Sequence, residues 1–234
     1  MAAIADVKRS EIKYRIPLSL ALRMQGRLAA ILPPDKNNRG SGGYMVRSLY
    51  FDSLNNGDFR AKIDGMEEHK KLRLRIYAPG SKTAKLELKE KTGVWQRKRS
   101  ITLSREDALL LIAGDYSPLL RSAEHLSQKI YLLMSQGIYR PKCIIQYQRT
   151  AFIGTANDIR ITFDSKIEAS ESNYDLFAEK PSLYPVSHPN SVTMEVKYDR
   201  FLLSYVKNLL ENADQPSVSY SKYTMGRYIS HYLG

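Results

Sequence analysis

At 234 residues, with 43% hydrophobic and 26% charged side chains, the chain is long enough to bury a substantial core and too apolar to be disordered throughout. Lys and Arg number 36 against 24 Asp and Glu, a formal charge of +12 that favours an anionic partner: nucleic acid, an acidic membrane surface or phosphate-rich small molecules. Cys143 is the only cysteine, which excludes an internal disulfide, argues against a zinc cluster and fits a reducing compartment.

The first residues, MAAIADVKRSEIKYRI, lack the apolar centre of a secretory signal. The longest apolar run, ALLLIA at 108–113, is too short to span a bilayer, so a soluble cytoplasmic protein is the expectation. EIKYRI (11–16) alternates as a strand does, with Glu11, Lys13 and Arg15 on one face and Ile12, Tyr14 and Ile16 on the other. The spacing of Leu20, Met24, Leu28 and Ile31 predicts a helix from Pro17 to Leu32, stopped by Pro33-Pro34. MVRSLYFDS (45–53) reads as a strand buried on both faces.

KLRLRIY (71–77) alternates strictly, placing Lys71, Arg73 and Arg75 opposite Leu72, Leu74 and Ile76. KLELKEK (85–91) and VWQRKRSITL (94–103) flank the turn signal Thr92-Gly93 and should pair as a hairpin. Ser104 with Glu106 and Asp107 predicts a short helix ending near Gly114, and Ser117-Pro118 opens a longer one to about Gln136, with Gly137 past its end. KCIIQYQRTAF (142–152), DIRITFD (158–164) and VTMEVKY (192–198) are further strands. Residues 168–190 read mostly as loop, and Asp199 to Asn212 as an amphipathic helix. No linker or repeat divides the chain, so one α+β domain is expected, an antiparallel sheet with helices outside.

The charged strand faces admit two readings. Half-solvated antiparallel sheets routinely turn charge to water. A closed sheet would instead turn it inward and line a tunnel with Lys and Arg. Arg73 and Arg75 resist the solvated reading, because like charges on one strand face repel unless something anionic joins them. The four histidines, His69, His125, His188 and His231, show no ligand-like spacing.

The order of EIKYRI, RSLYFDS, Lys62, LRLR, LELKEK, QRTAF, IRITFD, MEVKY and SYSKY resembles the catalytic domain of the vacuolar transporter chaperone complex, from about Glu11 to Tyr223. That domain is a polyphosphate polymerase of the triphosphate tunnel metalloenzyme (CYTH-like) superfamily. The resemblance implies a closed antiparallel β-barrel with helices packed outside, and transfer of the terminal phosphate of ATP to a polyphosphate chain in a cationic tunnel, with Mn²⁺ or Mg²⁺. Lys13, Arg73, Arg75 and Lys89 are then the catalytic cations, and Lys62, Arg97, Arg99, Arg149, Arg160 and Lys222 bind substrate. Glu195 matches the metal-binding glutamate. ATP, triphosphate and polyphosphate become the expected ligands, and nucleic acid does not. The family's polymerase is associated with membrane partners that receive or translocate product, which leaves room for one here.

One departure favours the polymerase branch over the hydrolytic one. The hydrolytic relatives begin E-x-E-x-K, whereas Arg9, Glu11 and Lys13 stand here, so a cation replaces one carboxylate. Plainer pairings compete for several of these residues. Arg160 could pair with Asp164, Glu195 with Lys197, and Lys13 and Lys89 could be solvent lysines. A triphosphatase, a polyphosphate or inositol-phosphate sensor and an RNA-binding domain are the rival functions.

Overall fold

The computed structural model of the chain describes residues 9–38, 40–93, 95–202, 204–211 and 221–229. The described residues form nine strands and six α-helices, in the order β1 (Arg9–Pro17), α1 (Leu18–Ala29), β2 (Tyr44–Asp52), α2 (Gly57–Ile63), β3 (Glu68–Ile76), β4 (Thr83–Thr92), β5 (Trp95–Ser104), α3 (Arg105–Ala113), α4 (His125–Gln136), β6 (Arg140–Ile153), β7 (Arg160–Ser170), β8 (Tyr184–Pro185), β9 (Ser191–Asp199), α5 (Ser204–Glu211) and α6 (Lys222–Gly226). The strands are hydrogen-bonded in the order β1-β9-β7-β6-β2-β3-β4-β5, with β8 on β7. The antiparallel α+β architecture is therefore present. Among the described residues this path has two ends, β1 and β5, where a closed barrel would have none. Exposed charged residues such as Arg97 and Lys98 on β5 suit such an edge, because they discourage pairing with another chain.

The chain divides into two compact units, each assembled from separate segments. The first comprises Met1–Met45, Tyr147–Ile167 and Ser187–Tyr220. Its core joins the apolar faces of β1, β9 and β7 (Ile16, Met194, Val196, Ile161, Phe163) to Ala21, Met24 and Leu28, the buried stripe of α1. Gly43, at φ +67°, is required there, because a Cβ would stand 2.2 Å from the Arg149 carbonyl oxygen.

The second unit comprises Val46–Gln146, Glu168–Val186 and Ser221–Gly234. Leu72, Leu74, Leu86, Leu88, Ile101 and Leu103 form the buried face of β3, β4 and β5, covered by α3, α4 and the segment bearing Leu176 and Phe177. Ser104 caps α3 by accepting from the Asp107 N–H at 3.0 Å, and Gly114 ends it at φ +94°. β2 is buried nearly throughout, as its composition predicts, and this includes an arginine. Arg47, 1% exposed, donates from Nε to Gln146 Oε1 and from Nη1 to the carbonyls of Leu176 and Ala178, so neutral oxygens accept from its guanidinium.

Several predicted elements differ. The helix expected from Ser117 to Gln136 is a 3₁₀ turn, Ser117–Arg121, followed after an extended Ser122 by α4. Leu119 is fully buried, and its carbonyl accepts from the Ser127 hydroxyl at 2.7 Å instead of from a helical N–H. The helix expected from Asp199 starts at Ser204, because β9 runs on to Asp199 and Arg200 takes φ +62°. Asn212 lies outside the described residues. Within the expected loop 168–190, β7 continues to Ser170 and β8 adds a short strand. Helices α2 and α6 were not anticipated by periodicity. None of the helices in the described residues is long and apolar enough to cross a membrane.

Candidate active site

In the second unit, the β3–β4–β5 register sorts the polar face into cross-strand rows. Lys71, Lys89 and Lys98 stand in one row, Arg73, Glu87 and Ser100 in the next, and Arg75, Lys85 and Thr102 in the third. Directly opposed residues approach to about 5 Å at Cβ, so the first row sets three lysines side by side, with the Glu87 carboxylate in the row beside it. Such a row is costly in water and fits a phosphate chain laid along it.

Glu87, 2% exposed, is the single carboxylate of the three rows. Its Oε2 accepts from Arg73 Nε at 2.7 Å, lies 2.7 Å from Arg73 Nη2 and 3.7 Å from Arg75 Nη1, while Oε1 lies 2.5 Å from Lys98 Nζ. Arg73 also donates to the Tyr50 hydroxyl at 2.8 Å, and Arg75 to the Ser48 hydroxyl at 3.2 Å. The anion that joins the two arginines is thus supplied by the protein itself.

Burial pushes the Glu87 carboxyl up, but Arg73, Arg75 and Lys98 more than reverse this and pull it down to about 2. Burial pushes the Lys98 ammonium down, with Glu87 opposing, though half of its side chain reaches water, which limits the fall. Glu87 titrates lower folded than at its usual 4.5, so its contribution is complete above about pH 4.5 and is lost as pH falls toward 2. Glu87→Gln should flatten that acid loss in a pH series of melting temperatures. An unchanged acid limb would show that the cations do not hold the carboxylate.

His69 lies on the same face, paired with Lys91. Burial, together with the ammonium groups of Lys62, Lys71 and Lys91, pushes its imidazole down against the Met66 carbonyl. Lys71 Nζ also donates to Ser221 Oγ at 2.8 Å, and Ser221 is the N-cap of α6, whose first residue is Lys222. Tyr223 stacks on Tyr50 with ring centroids 4.9 Å apart and donates to Asp52 Oδ2 at 2.7 Å, which fastens α6 down.

Arg97 and Arg99 are not brought to these rows. Arg99 stands opposite Leu88 and Arg97 opposite Glu90, on the face that carries the core. Arg99 donates to Glu90 Oε2 at 2.7 Å, and Lys129 of α4 holds the other oxygen at 2.7 Å. Both arginines share the parity of buried Ile101 and Leu103, so Lys98 between them is the residue that turns to the cations.

The polar face of the first unit is ordered in the same manner. Lys13, Glu195 and Thr162 form one row across β1, β9 and β7; Glu11, Lys197 and Arg160 form the next; Arg15, Thr193 and Asp164 form the third. Lys13 Nζ lies 2.6 Å from Glu11 Oε1. Lys197 Nζ lies 2.7 Å from Glu195 Oε1 and 3.5 Å from Glu11 Oε2, so the plainer pairing of Glu195 with Lys197 along one strand face is present. Arg160 pairs not with Asp164 but with Asp35 at 2.8 Å, and donates to the Tyr44 hydroxyl at 3.2 Å. Asp164, fully buried, is held by Arg149 through two parallel bonds at 2.7 and 2.8 Å. Burial lowers the Arg149 guanidinium and Asp164 more than restores it, leaving it well above its usual value. Arg149 therefore anchors a buried carboxylate whatever else it binds.

Glu195 was the residue assigned to a divalent metal. Among the described residues no three His, Cys, Asp or Glu side chains cluster as a metal cage. Two carboxylates, Glu195 and Glu11, already share one cation, the Lys197 ammonium, and the Thr162 hydroxyl directly opposite Glu195 is buried with no hydrogen-bond partner. Hard oxygens in that number suit Mg²⁺ or Mn²⁺ when phosphate oxygens and water complete the shell. The donor set fits.

The sequence matches the VTC domain over residues 8–231. The chain belongs to the VTC domain family. No curated protein matches it. Among solved structures, a candidate adenylyl cyclase from Hippeastrum, described as having a dominant triphosphatase activity, superposes with a TM-score of 0.55 at 15% identity, covering 93% of this chain and 94% of its own. A candidate adenylate cyclase from Bacillus halodurans gives 0.54 at 12% identity, covering 92% of this chain and 95% of its own. At such identities the VTC domain shares their fold, and nothing narrower follows.

Proposed function

We propose that this VTC domain is a polyphosphate polymerase that transfers the terminal phosphoryl group of ATP to a polyphosphate chain with Mg²⁺ or Mn²⁺. The observation that carries the reading is the lysine row Lys71-Lys89-Lys98 beside the Arg73–Arg75–Glu87 cluster, a face built for a linear polyanion. Family membership supports the same reading. The proposal includes the closed, tunnel-forming barrel and a single functional domain over residues 1–234.

The terminal phosphate of the acceptor chain is already anionic at neutral pH. One of its oxygens forms the new P–O bond as the bond between the β and γ phosphates of ATP breaks, and ADP leaves carrying the charge. No general base is needed. The transition state is loose, so catalysis rests on positioning and on cations aimed at the transferring group. Arg73, Arg75, Lys13 and Lys89 take that role; Lys62, Arg149, Arg160, Lys222 and, in place of Arg97 and Arg99, Lys98 hold substrate. Glu195, with Glu11 and Thr162, would hold the metal, which would supply positive charge against the transferring phosphoryl group.

Hydrolysis of triphosphate is the second reading, favoured by the Glu11 and Glu195 pair on one cation. Incubation with ATP and Mn²⁺, resolved on a gel and assayed for orthophosphate, separates them. Lengthening chains are expected. Orthophosphate without chains would establish the triphosphatase, and tight ATP binding without turnover a sensor or a missing membrane-protein partner.

A further inference from the structure

The polar rows of β3, β4 and β5 contain a residue that the phosphate-binding reading does not itself require: a carboxylate. An acid in an anion site weakens anion binding, yet Glu87 is 2% exposed and set between Arg73, Arg75 and Lys98. A site evolved for affinity alone would have an amide or hydroxyl there, as Ser100 stands beside it in the same row.

We propose that Glu87 is a positioning residue that acts as an internal counter-anion, holding Arg73, Arg75 and Lys98 in place while tempering the affinity of the site so that bound phosphate can leave. This rests on the phosphate-transfer reading and deepens it. Arg73 places both Nε and Nη2 on Glu87 Oε2, which fixes the guanidinium plane, and its Nη1 reaches Tyr50. Arg75 is held between Glu87 and Ser48, and Lys98 by the second carboxylate oxygen. Long cationic chains so fixed lose less rotamer freedom when phosphate arrives. The same negative charge repels every phosphate brought to these cations. Moving a chain through successive transfers needs binding that is ordered but not too tight, since product release then limits the rate.

The two contributions give opposite signs in one variant. Glu87→Gln keeps the size and removes the charge. It should tighten binding of inorganic tripolyphosphate about tenfold by calorimetry, lower the melting temperature of the free protein and enlarge the shift on adding ligand. Both kcat and KM for ATP should fall together, as ordering is lost and release slows. Glu87→Asp retains the charge and should return tripolyphosphate affinity to within about threefold of wild type, which also guards against a glutamine variant that fails to fold. A merely structural glutamate predicts the reverse: weaker tripolyphosphate binding in the glutamine variant with KM raised, and that result would overturn the proposal. A wild type that binds tripolyphosphate but never lengthens a chain would sink the polymerase reading, while the change in tripolyphosphate affinity would still decide the role of Glu87.

Discussion

Replacing Arg73 and Arg75 together by alanine is expected to abolish the stabilisation that tripolyphosphate gives the protein and, at the same time, to lower the melting temperature of the free protein. Ligand at a hundred times its Kd stabilises by about 2.7 kcal/mol, so the wild type should show a rise of several degrees and the double variant almost none. The second half of the expectation reverses what alternation alone suggests. Two arginines on one strand face should repel, and their removal should relieve strain. The structure places Glu87 between them, 2% exposed. Removing both leaves that carboxylate with only Lys98, whose side chain is half in water. Stripping partners from a buried charge costs about 3–5 kcal/mol, enough to lower the transition by roughly 10 °C in a chain of this size. Differential scanning fluorimetry with and without tripolyphosphate measures both. A double variant whose ligand shift equals that of wild type would show that these arginines do not meet phosphate.

The polar face of the sheet was legible in the sequence because strands have a period of two. KLRLRIY and KLELKEK each name their own buried side, and the observed register of β3 on β4 sets Leu72 against Leu88 and Lys71 against Lys89 accordingly. The same rule was available for QRKRSITL and points the other way from the motif. Ile101 and Leu103 mark the odd positions as core-facing, so Arg97 and Arg99 go with them and Lys98 does not. Where three cations run consecutively, local charge gives no parity, and only the apolar residues further along the strand can supply it.

Pairings across long sequence separations were not legible. Arg160 and Asp35 are 125 positions apart, and Arg47 reaches carbonyls of 176 and 178. No periodicity connects such residues, since the chain path that joins them is a property of the sheet order. The break between the 3₁₀ turn and α4 was hidden for a different reason. It depends on one buried carbonyl, that of Leu119, finding a hydroxyl from Ser127. The role of Glu87 lay between these cases: its face could be read, but its burial among three cations depends on which strands lie to either side.

Glu195→Gln should separate phosphoryl transfer from phosphate binding. The variant keeps the size of a side chain that is 12% exposed and can still accept a hydrogen bond from Lys197, so the β1–β9–β7 row should persist and the melting temperature should change little. What it loses is the hard anionic oxygen that a divalent cation requires. Of the donors left, Glu11 in the adjacent row shares its charge with Lys13 at 2.6 Å and the Thr162 hydroxyl is neutral, so together they would hold the cation only weakly. Tripolyphosphate binding without metal should survive or tighten, because a negative charge has left a face that also carries Lys13, Arg15, Lys197 and Arg160. Turnover of ATP with Mn²⁺ should fall at least ~100-fold, since a metal held there would supply several kcal/mol of charge stabilisation and each tenfold in rate is about 1.4 kcal/mol. Calorimetry of tripolyphosphate and the ATP assay, run on both proteins, give the paired measurement. Turnover near the wild-type level would remove Glu195 as the metal ligand, whereas a parallel loss of metal-free binding would assign it instead to holding Lys197 in place.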